Sequence, residues 1–155
     1  MKLVDRRMFI DAPPAHVYAL LTDAQLLVRW MAPTARIDAR VGGEITWTHE
    51  SGDTVAGRFV ELVADRRVVF TYGWDRADVG IPPGSTTVEI DLRPHNGGTE
   101  LRLVHRGLLP PMADAHDGGW ANYLDRLTAL AEGRDPGPDP LATARVPAAR
   151  ELGLT

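Results

Sequence analysis

The chain has 155 residues, of which 44% are hydrophobic and 25% are charged, and its formal net charge is -4. This length fits one domain with a core and an internal cavity, and the acidic balance gives no electrostatic reason to bind nucleic acid or an anionic membrane. The absence of cysteine excludes disulfides, thiolate nucleophiles and cysteine-ligated metals.

The first part of the chain predicts one strand followed by two short helices. Residues 3–10 mix apolar and charged side chains as a strand does, and the prolines at 13–14 mark a helix start, because proline is tolerated in a first helical turn. Thr22-Asp23 can cap a second helix, which Pro33 ends. Apolar residues recur at helical spacing in both helices: Val17, Leu20, Leu21, Leu26, Leu27 and Trp30.

The next part changes to the alternating pattern of strands. Val88, Ile90 and Leu92 share one face of such a strand, while the residues between them are charged. Glycine-containing turns separate several of these segments, as in antiparallel hairpins. The six predicted strands are 36–40, 43–50, 55–63, 68–74, 88–92 and 101–105.

A long amphipathic helix is predicted over residues 114–132, and Gly133 is its stop signal. This helix is available to cover the concave face of the sheet, which leaves an apolar cavity expected at about 300 to 1,000 Å³ between them. Residues 1–133 therefore form the predicted domain. The tail, 134–155, is rich in proline, glycine and alanine, and we expect it to add little to the core.

The order and spacing of several short segments resemble the SRPBCC superfamily, the helix-grip fold of START domains and birch pollen allergens. The branch is similar to the C-terminal domain of the activator of the ninety-kilodalton heat-shock chaperone ATPase. The resemblance implies an α+β helix-grip fold, in which a curved antiparallel sheet of about seven strands holds two short helices and one long C-terminal helix. It rests on 11–14, 21–23, 41–43, 57–61, 70–74, 99–108 and 116–124.

Two histidines stand out as candidate site residues. Strand alternation points His105 to the concave face, and helical spacing places His116 on the same stripe as Trp120. They either recognise a ligand or transfer a proton, or they are structural and tie the strand end to the helix start. A metal is not expected, because two histidines lack a clear third ligand although Asp114 and Asp117 are near in sequence.

Aromatic residues complete the candidate site, as walls for a flat apolar ligand or as plain core. The candidate ligand-binding residues are Trp30, Trp47, Phe59, Tyr72, Trp74, His105, His116, Trp120 and Tyr123. No catalytic residue is assigned.

Three functions stay open. The leading one is binding of a small hydrophobic or amphipathic molecule between the sheet and the C-terminal helix. The second is a polyketide cyclase, aromatase or hydrolase that uses His105, His116 and Tyr72 as acid, base or orienting groups. The third is a co-chaperone-like protein-interaction domain.

No cofactor is expected, since no phosphate-cradling glycine-rich loop is present. The sequence leaves a homodimer open. It predicts no membrane span and no signal peptide, and therefore a cytoplasmic protein. Lys2 is the only lysine, and the reliance on arginine is typical of a GC-rich bacterial genome.

Overall fold

A computed structural model describes all 155 residues and has seven strands and three α-helices. The predicted α+β order of one strand, two short helices, six strands and a long helix is confirmed. The structure also contains short 3-10 helices at Ala77–Val79 and Ala149–Leu152. The elements are β1 Lys2–Ile10, α1 Pro14–Thr22, α2 Ala24–Leu27, β2 Thr34–Ile37, β3 Glu44–Thr48, β4 Thr54–Val63, β5 Arg67–Tyr72, β6 Thr86–His95, β7 Gly98–Leu108 and α3 Pro110–Ala131.

The seven strands form one antiparallel sheet in the order β1-β7-β6-β5-β4-β3-β2. Alternation fixes which side chains face the core, and the predicted inward residues of β6, Val88, Ile90 and Leu92, are all buried. A register shift between Phe59 and Glu61 interrupts the β4–β5 ladder, and such irregularities bend a strand.

Several predicted boundaries differ from the structure by a few residues, and two of them differ for a clear local reason. The long helix begins at Pro110 rather than at residue 114, because Pro110 and Pro111 occupy its first turn, where a missing N–H costs nothing. The strand predicted over 36–40 is β2 at 34–37. The chain turns after it, and a side chain at Gly43 would lie 2.0 Å from the Asp38 carbonyl oxygen.

The core lies between the sheet and the helices. On α3, Leu124 and Leu127 are completely buried, and α3 packs closely along β1. The tail packs on its own domain, where Ala148 and Ala149 are buried and Leu152 and Leu154 contact the core. No helix has the length and apolar character needed to span a membrane.

Candidate functional site

A cavity of about 160 Å³ lies between β3, β5, α3 and the C-terminal tail. It is smaller than the volume expected from the sequence, because large aromatic side chains fill much of the space and the tail closes one side. Most of its lining residues are hydrophobic. Six of the nine candidate residues line it: Trp47, Tyr72, Trp74, His116, Trp120 and Tyr123.

The other three candidate residues lie in the surrounding core and do not border the cavity. Trp30 is buried, and its indole N–H donates to the Leu20 carbonyl at 2.9 Å. Phe59 packs edge-on against Phe70. His105 is fully buried, with its ring centroid 4.5 Å from that of Tyr72.

Three tryptophans around the site each donate their indole N–H to a histidine ring nitrogen. Each acceptor nitrogen must carry a lone pair, so each histidine is neutral in this arrangement. A buried indole N–H requires such a partner, and the histidines supply it without adding charge to an apolar site. The pairs are Trp47–His49 at 3.1 Å, Trp74–His116 at 3.0 Å and Trp120–His105 at 3.1 Å.

The second ring nitrogen of His116, on α3, and of His105, on β7, is also hydrogen-bonded to the protein. His116 Nδ1–H donates to the Met112 carbonyl at 2.8 Å. The Thr86 hydroxyl donates to the Tyr72 carbonyl, so His105 Nε2–H donates to the Thr86 oxygen at 2.8 Å. Burial lowers the pKa of His116, and burial together with the repulsion that a protonated His116 would exert lowers the pKa of His105 to about 3. Both rings are therefore neutral near pH 7.

His49 belongs to the cavity wall, although it was not among the candidates. The Tyr123 hydroxyl donates to Asp139 at 2.7 Å, so His49 Nδ1–H donates to the Tyr123 oxygen at 3.3 Å. Burial lowers the pKa of His49 against the opposing attraction of Asp139 and Asp53. Alternation along β3 already placed His49 on the inward face with Trp47, and that signal identifies it.

The Tyr72 hydroxyl differs from the indole and imidazole groups of the cavity wall, all of which have hydrogen-bond partners in the protein. Tyr72 is 4% exposed, and its ring meets Trp47 and Trp74 edge-on, each at a centroid distance of 5.9 Å. Its hydroxyl makes no hydrogen bond within the protein, yet it is not sealed from the cavity. Burial raises the pKa of Tyr72 far above its usual value, so the hydroxyl keeps its proton and remains a donor.

Asp53 is a second cavity residue that sequence reasoning missed, because it looked like an ordinary turn residue. Its side chain is 3% exposed and accepts from Arg76, Arg145 and the Val146 N–H at 2.9 to 3.1 Å. Burial acts to raise the pKa of Asp53, but these donors outweigh it and hold the pKa below its usual value. The carboxylate is therefore ionised and fixed.

No group of three or more metal-ligating side chains is present. The two aspartates near His116 in sequence point elsewhere, since Asp114 pairs with Lys2 and Asp117 pairs with Arg6 at 2.8 Å. The site is therefore mostly apolar and aromatic, and the Tyr72 hydroxyl is a donor within it that has no protein partner.

Comparison with known proteins identifies the family of the chain. A family model described as Activator of Hsp90 ATPase homolog 1-like protein matches residues 11–132. The Activator of 90 kDa heat shock protein ATPase homolog 1 of Homo sapiens is 26% identical over 122 residues, which cover 79% of this chain. The chain spans only 34% of the length of that human relative.

Solved structures agree with the family match. The solution structure of an AHSA1-like protein from Rhizobium etli is 41% identical, with 94% of this chain and 91% of that chain covered and a TM-score of 0.69. The Aha1 dimer from Colwellia psychrerythraea is 21% identical, with 85% and 97% covered and a TM-score of 0.71, which is a likeness of fold.

Proposed function

Since the chain belongs to the Activator of Hsp90 ATPase homolog 1-like family, we propose that it uses the cavity of this fold to bind a small hydrophobic or amphipathic molecule. The observation that carries the proposal is the Tyr72 hydroxyl, a donor that has no protein partner and is open to an aromatic cavity. A hydroxyl that faces an apolar cavity is free to donate to whatever occupies the cavity, and a ligand with an acceptor would supply its partner.

The size and lining of the cavity define the class of ligand. An apolar cavity of about 150 Å³ is known to admit a single benzene ring, and the cavity here measures about 160 Å³. The aromatic walls favour a flat ring through edge and offset contacts. We therefore propose a one-ring ligand whose hydrogen-bond acceptor meets Tyr72.

The occupied histidines give less support to an enzyme. A general acid or base must bring a ring nitrogen within hydrogen-bond reach of the substrate. Both ring nitrogens of His105, His116 and His49 already have protein partners. The co-chaperone alternative has less support, because the large exposed apolar side chains are divided between β1, β4 and loop positions, and β1 and β4 are not neighbours in the sheet.

Two neighbouring glycines of α3 provide a matched test of the binding site. Gly119 lines the cavity and Gly118 does not, and a Cβ atom added at either meets no atom within 4 Å. Gly119→Leu should fill the cavity and weaken binding of phenol, the probe, by at least about tenfold. Gly118→Leu should bind phenol as the wild type does. Chemical-shift titration measures both.

The two substitutions have the same effect on helix propensity, since each replaces a helical glycine and should stabilise α3 by up to about 1 kcal/mol. A difference in phenol binding therefore reports on the cavity and not on folding. Equal phenol affinity in the two variants, or none in the wild type, would contradict the proposal. Native mass spectrometry of the protein from its source would then identify any co-purifying molecule.

Two further proposals concern the oligomeric state and the cellular location of the protein. We propose a homodimer, because the Colwellia psychrerythraea relative was solved as one; light scattering on the purified chain tests it. We propose a bacterial cytoplasmic protein, because the chain has no cysteine and its arginine-rich composition is typical of GC-rich genomes. Cell fractionation tests the location.

A further inference from the structure

Part of the C-terminal tail forms one wall of the cavity. We define the strap as residues 139–147, which follow α3 and contain no helix or strand. Five of the sixteen residues around the cavity come from the strap: Leu141, Ala144, Arg145, Val146 and Pro147. The space available to a ligand is therefore set by the strap as well as by the sheet and α3.

One end of the strap is tied to α3 through Asp139. Its carboxylate accepts from the Tyr123 hydroxyl at 2.7 Å and from the Asn122 amide at 3.0 Å. The same side chain accepts from the Leu141 N–H and shapes the turn that starts the strap. Just before it, Arg126 donates to the carbonyls of the preceding turn. This end is fixed to the helix.

The other end is tied to the sheet side through Asp53. The Val146 N–H and Arg145 donate to the Asp53 carboxylate at 2.9 and 3.1 Å, and Arg76 donates both to Asp53 and to the Val146 carbonyl, the latter at 2.8 Å. Beyond this point the chain is buried again at Ala148. The strap thus crosses from helix to sheet with both ends anchored.

We propose that the strap is a movable wall that limits the ligand to one ring and opens to admit it. The inference rests on the proposed binding function. Between its anchors the strap is only partly buried, since Ala144 and Arg145 are exposed and Leu141 and Val146 are half-buried. Between the anchors one backbone hydrogen bond, from the Ser51 N–H to the Ala142 carbonyl at 3.1 Å, holds the strap, and Leu141 packs against the core. The strap belongs to no helix or strand ladder, so it can open locally without unfolding a regular element.

Arg76 offers the cleanest way to loosen the strap. It supports the sheet-side anchor but does not line the cavity, so Arg76→Gln removes its hydrogen bonds to Asp53 and to the Val146 carbonyl without changing a ligand contact. The strap then keeps only its Asp53 bonds through Arg145 and the Val146 N–H. The matched control is Arg102→Gln, which breaks a bidentate pair with Asp5 on the exposed face of β1 and β7. Phenol and 2-naphthol serve as one-ring and two-ring probes.

The wild type and Arg102→Gln should bind phenol and exclude 2-naphthol. Arg76→Gln should bind 2-naphthol at least about tenfold more tightly than the wild type, because loss of the anchor raises the population of the open state. Hydrogen exchange should also show faster exchange of the Val146 N–H in that variant alone.

The outcomes separate the two proposals. If phenol binds in the cavity but 2-naphthol affinity is the same in Arg76→Gln and Arg102→Gln, the strap inference is overturned and the binding function stands. If the Val146 N–H exchanges equally slowly in every variant, the strap is a fixed wall and the inference is again overturned. If neither probe binds any variant, the binding function itself fails.

Discussion

Two tyrosines of the cavity wall allow a sharp test of which hydroxyl is free. Tyr72 and Tyr123 are both buried, yet only the Tyr123 hydroxyl has protein partners, Asp139 and His49. Replacing each with phenylalanine removes one oxygen and keeps the ring. The two substitutions are matched in volume and chemistry and differ in the hydrogen bonds they break.

The expected costs follow from those bonds. Tyr123→Phe breaks a hydrogen bond to a carboxylate at 2.7 Å and leaves the His49 N–H without its partner. Hydrogen bonds to charged groups contribute about 1.5 to 3 kcal/mol, so the free energy of unfolding should fall by about 2 kcal/mol. For a domain of this size the melting temperature should drop by about 4 to 8 °C. Tyr72→Phe should change the free energy of unfolding by less than about 0.5 kcal/mol.

Urea denaturation followed by tryptophan fluorescence measures the stability of both variants. If the slope of the free energy of unfolding against urea concentration is unchanged, only the stability differs from the wild type. Phenol titration of the same samples should show weaker binding by Tyr72→Phe, since the ligand loses its donor. A loss of about 2 kcal/mol in Tyr72→Phe would mean that its hydroxyl already has a partner. The reasoning would also be refuted if Tyr123→Phe were as stable as the wild type.

Two further predictions concern the buried side chain of His105. The pKa of His105 is about 3 in the folded protein and about 6.5 when unfolded, so its contribution to stability is complete above pH 6.5 and is lost as the pH falls toward 3. Acid melts should show a loss of about 2 kcal/mol from this residue at pH 5, and a flat profile from pH 7 to 4 would contradict it. His105→Phe should cost about 2 to 4 kcal/mol in urea unfolding, because the Trp120 N–H and the Thr86 hydroxyl lose their partner. Since His105 does not border the cavity, that variant should keep its phenol affinity, and a selective loss of binding would count against this placement.

Strand alternation was enough to predict which side chains point to the concave face of the sheet, but not which of them border the cavity. Tyr72 and His105 both point to the concave side, as their patterns predict, yet Tyr72 meets the cavity while His105 lies behind its ring. Alternation along a strand tells only whether a side chain points to the inner or the outer face of the sheet. Depth depends on how neighbouring side chains fill the space, which the pattern of one strand does not contain.

Of the tryptophan–histidine pairs, the one within a single strand could be predicted from the sequence, and the one between distant elements could not. Trp47 and His49 are two residues apart on one strand, so they share a face and their contact follows from the sequence. Trp74 and His116 are 42 residues apart, just after the end of β5 and on α3. Their pairing depends on where α3 crosses the sheet, and only the folded structure fixes that crossing.

The strap was the hardest part to predict, because its attachment depends on charges and backbone groups rather than on apolar periodicity. A segment rich in proline, glycine and alanine buries little apolar surface by itself. Its structure instead comes from two carboxylates, Asp53 and Asp139, that accept its N–H groups and those of α3. A buried carboxylate needs several donors, and at Asp53 one of them is the backbone of the strap. The same requirement that keeps Asp53 ionised therefore holds the cavity wall in place.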